Sequence, residues 1–387
     1  MTSLAEALVT DRGAARWTRG HPWIFRSDIT TAPDVPGLVQ VRDRRGRALG
    51  QALHSPSSEI RLRLLAPPEA IIDAAWWEAR LRASLARRAA LDADAYRVVH
   101  GEGDGLPSLV VDRYAGIVVA QLLSAGLETE RAQILDAVRR VLQPEGILLR
   151  HDAGVRRREG LSEGVELVYG AVPTRVAVRE GAVRWYAAPW DGQKTGAFLD
   201  QRPNREILAA AMIDGARALD CFAYHGSFAL HLAARAREVV AVDISSEALV
   251  RGAENAALNG FRNIDWREGD AFEVLRAMER AGERFDAIAL DPPAFAKHRG
   301  ALAGALRGYH EVNLRAMRLL APGGLLLTAS CSFHVGRQQF LDMVQHAAAD
   351  SGRTLAVERI LGQGADHPEL VTVPETGYLK GVLLRAR

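Results

Sequence analysis

Cysteine is nearly absent from this chain. Only Cys221 and Cys331 occur, far apart in sequence, so no disulfide framework is available and a reducing compartment is expected. Lysine is scarcer still for a protein with 49 basic residues, because Lys occurs only at 194, 297 and 380. The rest is arginine, which suits bidentate phosphate contacts, although a genome that favours arginine codons produces the same bias. No apolar run is long enough to span a bilayer. The opening "MTSLAEALVTDR" lacks the basic start and apolar stretch of a signal peptide. A soluble, cytoplasmic protein with no membrane partner is the expectation. No Cys/His cluster has metal-ligand spacing, so no metal is expected. On oligomeric state the sequence is silent.

What is present reads as a multidomain globular chain. At 387 residues and 25% charged content, two or three domains are expected and disorder is not. Net charge is only +2, but residues 1–65 hold ten Arg against six Asp and Glu (10 − 6 = +4), a basic bias at one end. Strand-like runs at 37–43, 48–54 and 60–65 are separated by turn residues, as in a small β-barrel or sheet. "LAPPEAII" (65–72) is a linker, and 73–91 reads as a helix offering Trp76, Trp77, Leu81 and Leu85 for one face. A hairpin around "YAG" (108–123), a helix (128–142) and a strand (146–152) make a middle α+β unit. The expected boundaries are 1–68, 73–186 and 187–387.

The last third changes rhythm. Strand candidates at 216–222, 238–243, 264–270, 286–293 and 323–332 alternate with helical patterns at 226–236, 246–258, 271–281 and 302–320. That alternation predicts an α/β fold with a doubly wound, mostly parallel sheet. Ligands of such sheets bind beyond the carboxyl ends of the strands. Asp220, Asp243, Asp270, Asp291 and Cys331 all fall there.

Each strand end has a chemical reading. "LDCFAYHGSFALHLA" turns through Gly226 into a helix, presenting a small-residue turn to a ligand. Asp243, ending the next strand, suits the two hydroxyls of a ribose, whether of NAD or of S-adenosylmethionine. Asp270 beside an aromatic suits an adenine, although each Asp alone also fits a helix N-cap. In "LDPPAF" two prolines after Asp291 fix a rigid extended turn with no N–H to donate. Phe295 then follows, suited to stacking on a flipped base.

Together "DCFAYHGSFALHLA", "VDISSEAL", "GDAF", "DPPAF" and "TASCS" resemble the successive motifs of class I S-adenosylmethionine-dependent RNA methyltransferases. With "GQKTGAFLDQR" (192–202) ahead of them, they are similar to the three-domain 23S rRNA cytosine-C5 methyltransferases. "GHPWIFRSDI" (20–29) resembles that family's N-terminal PUA domain, which binds RNA, and "HGEGDGLPSLVVDRY" (100–114) its middle domain. The resemblance implies a PUA-like domain, a middle α+β domain and a Rossmann-like methyltransferase domain, with 23S rRNA or a large-subunit assembly intermediate as partner. It implies S-adenosylmethionine held by Phe222, Tyr224, Gly226, Ser227, Asp243, Ile244, Asp270, Ala271, Asp291 and Pro292. Substrate would meet Lys194, Arg202, Pro293 and Phe295, and Cys331 and Asp291 would be catalytic. From their residue type, Arg202 and Arg205 either touch phosphate or lie on a solvated face. Ser227 stands where many relatives carry glycine.

Cytosine carbon 5 needs a thiolate on carbon 6 before it can accept a methyl group, and the family's nucleophile matches Cys331. Cys221, inside the cofactor strand, reads as a core residue. Two other readings remain at this point. One is methylation of a ring or exocyclic nitrogen, which also uses Asp-Pro-Pro-aromatic loops. The other is a non-catalytic RNA-binding protein.

Overall fold

The computed structural model describes residues 4–296 and 298–387. They form two compact units. One comprises residues up to 178 with 186–199 and 365–377, and the other 179–185 with 200–364 and 378–387.

The first unit holds two sheets. Strands β1 (Ala5–Val9), β2 (Trp23–Phe25), β3 (Ile29–Thr31), β4 (Gly37–Arg42), β5 (Ala48–His54) and β6 (Ile60–Ala66) lie in the order β2-β6-β5-β4-β1-β3. β4 shows why: Val39 and Val41 are buried while Gln40 and Arg42 stay partly exposed, the two-residue period of a half-buried strand. The second sheet, β11-β10-β9-β8-β7, contains β7 (Ala95–His100), β8 (Leu109–Tyr114), β9 (Ile117–Leu122), β10 (Gly146–Arg150) and β11 (Val165–Gly170). Its β8–β9 hairpin closes at Tyr114↔Ile117, with Ala115 in left-handed backbone at φ 51°. The helices 74–86 and 131–142 cover this sheet, and Trp77, Leu81, Ile134 and Val138 pack with Val111 and Val118. A buried Arg63–Glu159 pair at 2.9 Å joins the region of the first sheet to that of the second. Strands β12 (Val176–Glu180) and β13 (Val183–Ala187) make a two-stranded ribbon.

The second unit is built on seven strands: β14 (Arg217–Cys221), β15 (Glu238–Asp243), β16 (Ile264–Glu268), β17 (Phe285–Leu290), β18 (Leu320–Ser330), β19 (Leu355–Leu361) and β20 (Lys380–Ala386). Their order is β16-β15-β14-β17-β18-β20-β19. The first five are parallel, whereas β20 runs antiparallel to both β18 and β19. Alternation gives the sheet two unlike faces. Leu219, Cys221, Val240, Val242, Ile288 and Leu290 pack against Tyr309, Met317 and Phe340 of the helices 302–318 and 337–351. The opposite face offers Ala218, Ala241, Ala287 and Ala289 to Leu208, Phe228 and Leu232. Large side chains on one face and alanines on the other let the second helical layer approach closely. The sequence reading anticipated β14–β18 and the helices between them. It did not identify the helix 337–351, β19 or β20.

Arg205 does not face phosphate. It lies on the inner side of the helix 202–211, almost fully buried, and grips Glu180 of β12 with two hydrogen bonds of 2.7 Å. A charge this far from water requires its carboxylate partner. Replacing Glu180 by Gln leaves the guanidinium buried beside a neutral amide. The expected cost is about 3 kcal/mol or more, read as a lower urea midpoint, with Arg205→Lys no substitute for the bidentate pair.

Candidate active site

Because β14 to β18 are parallel, their carboxyl ends share one edge, and strand order arranges the chemistry along it. Asp270 follows β16, Asp243 ends β15, Asp220 lies in β14, Asp291 follows β17 and Cys331 follows β18. At roughly 4.8 Å per strand interval the row spans about 19 Å. β15 and β17 flank β14 on opposite sides, so strand order reverses there, the position where open α/β sheets bind ligands.

The turn after β14 is unusual. Phe222, Tyr224 and Gly226 all have positive φ, at 66°, 51° and 84°, a conformation that costs energy for the two non-glycine residues. Asp243 holds the turn from the neighbouring strand. One of its oxygens accepts the Tyr224 N–H at 2.8 Å and the other the Ser245 N–H at 2.9 Å. Each oxygen keeps a lone pair for a further donor. Gly226 is glycine for a packing reason as well: a Cβ there would come 2.5 Å from the Trp266 ring. Asp220 is buried and accepts the Ala229 N–H at 2.8 Å. Burial, with Asp291 and Asp243 as like-charged neighbours, pushes its carboxyl up to about 7. Asp270 caps the helix 271–280 through one oxygen, which accepts from Phe272 and Glu273; the capping role is thus real. Buried Ala271 begins that helix, and Ile244, beyond Asp243, is 71% exposed, an apolar surface at the ligand edge.

The second half of the edge is clamped. Tyr309, fully buried in the helix 302–318, places its hydroxyl 2.8 Å from Ser332 Oγ and donates to the Pro293 carbonyl at 3.4 Å. Ser332 Oγ in turn accepts the Ala296 N–H at 3.3 Å. The loop Asp291–Ala296 and the segment after β18 are thereby tied together. Ser330 and Ser332 are both fully buried, while Cys331 between them is half-buried. Asp291 accepts from Gln201 Nε2 at 2.8 Å. Phe295 is half-buried, with its ring centroid 4.6 Å from Tyr309, 5.9 Å from Phe272 and 6.3 Å from Phe222; it packs the loop onto the core. Pro292 is buried and Pro293 exposed. Cys221 is fully buried, and burial pushes its thiol far up.

Other predicted residues lie elsewhere. Arg202 is 5% exposed at the start of the helix 202–211. Lys194 belongs to the first unit, in left-handed backbone (φ 54°), its ammonium 4.8 Å from the Phe198 ring centroid. Sequence reasoning missed Tyr309, Gln201 and Lys380, and also Phe333, which is 63% exposed two residues beyond Cys331. An aromatic immediately after "SCS" was the available signal for Phe333.

Comparison with known proteins fixes the family. Residues 96–385 match the S-adenosylmethionine-dependent methyltransferase family, and residues 8–67 match a PUA-like domain. The chain is an S-adenosylmethionine-dependent methyltransferase. It is similar to a protein named ribosomal RNA large subunit methyltransferase I from Aeromonas hydrophila, 41% identical over 384 residues covering 95% of this chain and 96% of that one. A relative of the same name from Klebsiella pneumoniae is 37% identical and covers 99% of both. The fold resembles a methyltransferase complexed with SAH, with TM-score 0.85 and 20% identity over 99% of this chain and all of that one.

The strand edge of this methyltransferase fits its cofactor. Asp243, held by two backbone N–H groups, keeps acceptor capacity that ribose hydroxyls could use, and Asp270 has one oxygen beyond its cap that an adenine amino group could use. Ile244 offers the apolar surface a flat base needs, and the carboxylate-rich centre complements a cationic sulfonium. Replacing Asp243 by Ala removes the candidate ribose acceptor and also releases the Tyr224 N–H. Calorimetry should show S-adenosylmethionine binding weakened by about 1–3 kcal/mol; wild-type affinity would take Asp243 out of the site.

Proposed function

We propose that this methyltransferase forms 5-methylcytosine in large-subunit ribosomal RNA, with Cys331 as covalent nucleophile and Asp291 as its partner at the base. The observation that carries this reading is the half-exposed Cys331 between two buried serines, at the end of the strand beside Asp291. The relatives named for large-subunit rRNA, each covering nearly the whole chain, support the substrate class. The PUA-like region, with its +4 excess in residues 1–65, supports an RNA partner bound partly through phosphate.

On this reading the thiolate of Cys331 adds to carbon 6 of the cytosine, and the ring's electrons move toward N3. Asp291 contacts N3 or the amino group, and in protonated form supplies the proton that N3 takes up. Bound S-adenosylmethionine supplies the electrophilic methyl that carbon 5, now enamine-like, accepts. A base removes the carbon-5 proton, the C6–S bond breaks as N3 gives its proton back to Asp291, and Cys331 leaves as thiolate. The prolines of 291–293 hold the loop rigid, and Pro293 and Phe295 border the base. Lys194 and Arg202 serve as further RNA contacts, and Phe222, Tyr224, Gly226, Ser227, Asp243, Ile244, Asp270, Ala271, Asp291 and Pro292 line the cofactor. The domain boundaries 1–68, 73–186 and 187–387 belong to the same proposal, as does action in the cytoplasm.

Cys331→Ala should lower methyl transfer by at least roughly 10³-fold and leave S-adenosylmethionine affinity unchanged. Cys331→Ser should fail too, because a hydroxyl is far less nucleophilic than a thiolate at neutral pH, while Cys221→Ala should stay active. Cytosine tritiated at carbon 5 should release its label with each methyl transferred. A Cys331→Ala enzyme that still methylates RNA, without tritium release, would establish nitrogen methylation instead.

A further inference from the structure

Lys380 is the first residue of β20 and lies opposite Ser330 in the antiparallel ladder with β18. It is 6% exposed. Its ammonium donates to the Ser332 carbonyl at 2.6 Å and to the Tyr378 carbonyl at 2.8 Å. The side chain therefore begins opposite one neighbour of Cys331 and ends on the other. An ammonium has three N–H groups, and these two acceptors are neutral. No carboxylate pairs with Lys380 among the described residues. Buried cations ordinarily have an anionic partner, as Arg205 has Glu180 in the same unit.

We propose that the missing anion is the Cys331 thiolate, and that Lys380 is a positioning residue that stabilises it. This rests on the reading of Cys331 as nucleophile. Forming the pair moves the Sγ proton to the neutral amine, so that thiol and amine become thiolate and ammonium. Burial pulls the Lys380 amine down to about 8, the negative charge of Cys331 opposes that change, and Arg337 reinforces it. An amine in that range exists in both forms near neutral pH. The other titratable groups around it are accounted for: the Tyr309 hydroxyl is engaged with Ser332 Oγ, and the Tyr378 hydroxyl donates to Asp200 at 2.6 Å.

The test uses the full-length chain carrying Cys221→Ala, so that Cys331 is the only thiol. Iodoacetamide alkylation of Cys331 is followed against pH by mass spectrometry, with Lys380→Gln and Lys380→Arg compared. Gln keeps donors for both carbonyls but removes the charge. The expected result is at least about a tenfold slower alkylation at pH 7 in Lys380→Gln, with the midpoint moved to higher pH, and rescue in Lys380→Arg. An unchanged midpoint in Lys380→Gln overturns the proposal. If Lys380→Gln fails to fold, the reciprocal measurement decides: removing Cys331 as Cys331→Ala should speed acetic anhydride labelling of Lys380 near neutral pH, because its amine loses the anion. Unchanged labelling overturns the proposal equally. Failure of the nucleophile reading is separate. It shows as methyl transfer by Cys331→Ala, whichever way the alkylation profile falls.

Discussion

The parallel pairing of β17 with β18 is the constraint on which the site depends. Leu290 pairs with Thr328, so Asp291 leaves the sheet one residue later and Cys331 about two residues beyond that level. At roughly 3.3 Å per residue, the thiol projects further from the sheet edge than the carboxylate. β14 pairs with β17 on the other side, Cys221 against Leu290, which sets the strained turn at Phe222 level with Asp291. Slipping either pairing by one residue would exchange the Leu/Ile face for the Ala face and lose both helical layers. Burial of those two faces therefore fixes the geometry at the edge. The hydroxyls of Tyr309 and Ser332 complete it by tying the loop Asp291–Ala296 to the segment after β18.

Charge along this edge is arranged unevenly. Three carboxylates lie near β14, and the buried one, Asp220, holds its proton up to about pH 7. Burial is the main cause of its raised affinity for protons, and the neighbouring carboxylates Asp291 and Asp243 add to it. Toward β18 and β20 the sign changes, since Lys380 is a buried amine without a carboxylate partner among the described residues. On the proposed reading, a cationic cofactor at the first position and a thiolate at the second each match the local charge.

Much of this was legible in the sequence because the relevant signals are local. Strand–helix alternation after residue 216 announced β14 to β18, and their abrupt polar ends announced Asp220, Asp243, Asp270, Asp291 and Cys331. What was not legible depends on pairing between distant segments. Lys380 meets Ser332 only because β20 returns antiparallel to β18. Arg205 reads as a surface arginine until Glu180, from β12, is found beneath it. Gly226 suggests ligand approach, and its contact with Trp266 of β16 adds a packing reason that no spacing rule contains. Phe295 has the residue type for base stacking, yet its ring is packed among three aromatics from other segments.

The central claim is that Cys331 bonds covalently to its base. RNA carrying 5-fluorocytosine at the target tests it most directly, because fluorine cannot leave as a proton and elimination of the thiolate stalls after methyl transfer. The account predicts a stable protein–RNA adduct that forms only with S-adenosylmethionine present, with peptide mapping placing the nucleotide on Cys331. Turnover of that RNA without an adduct, or an adduct mapped to another residue, would contradict it.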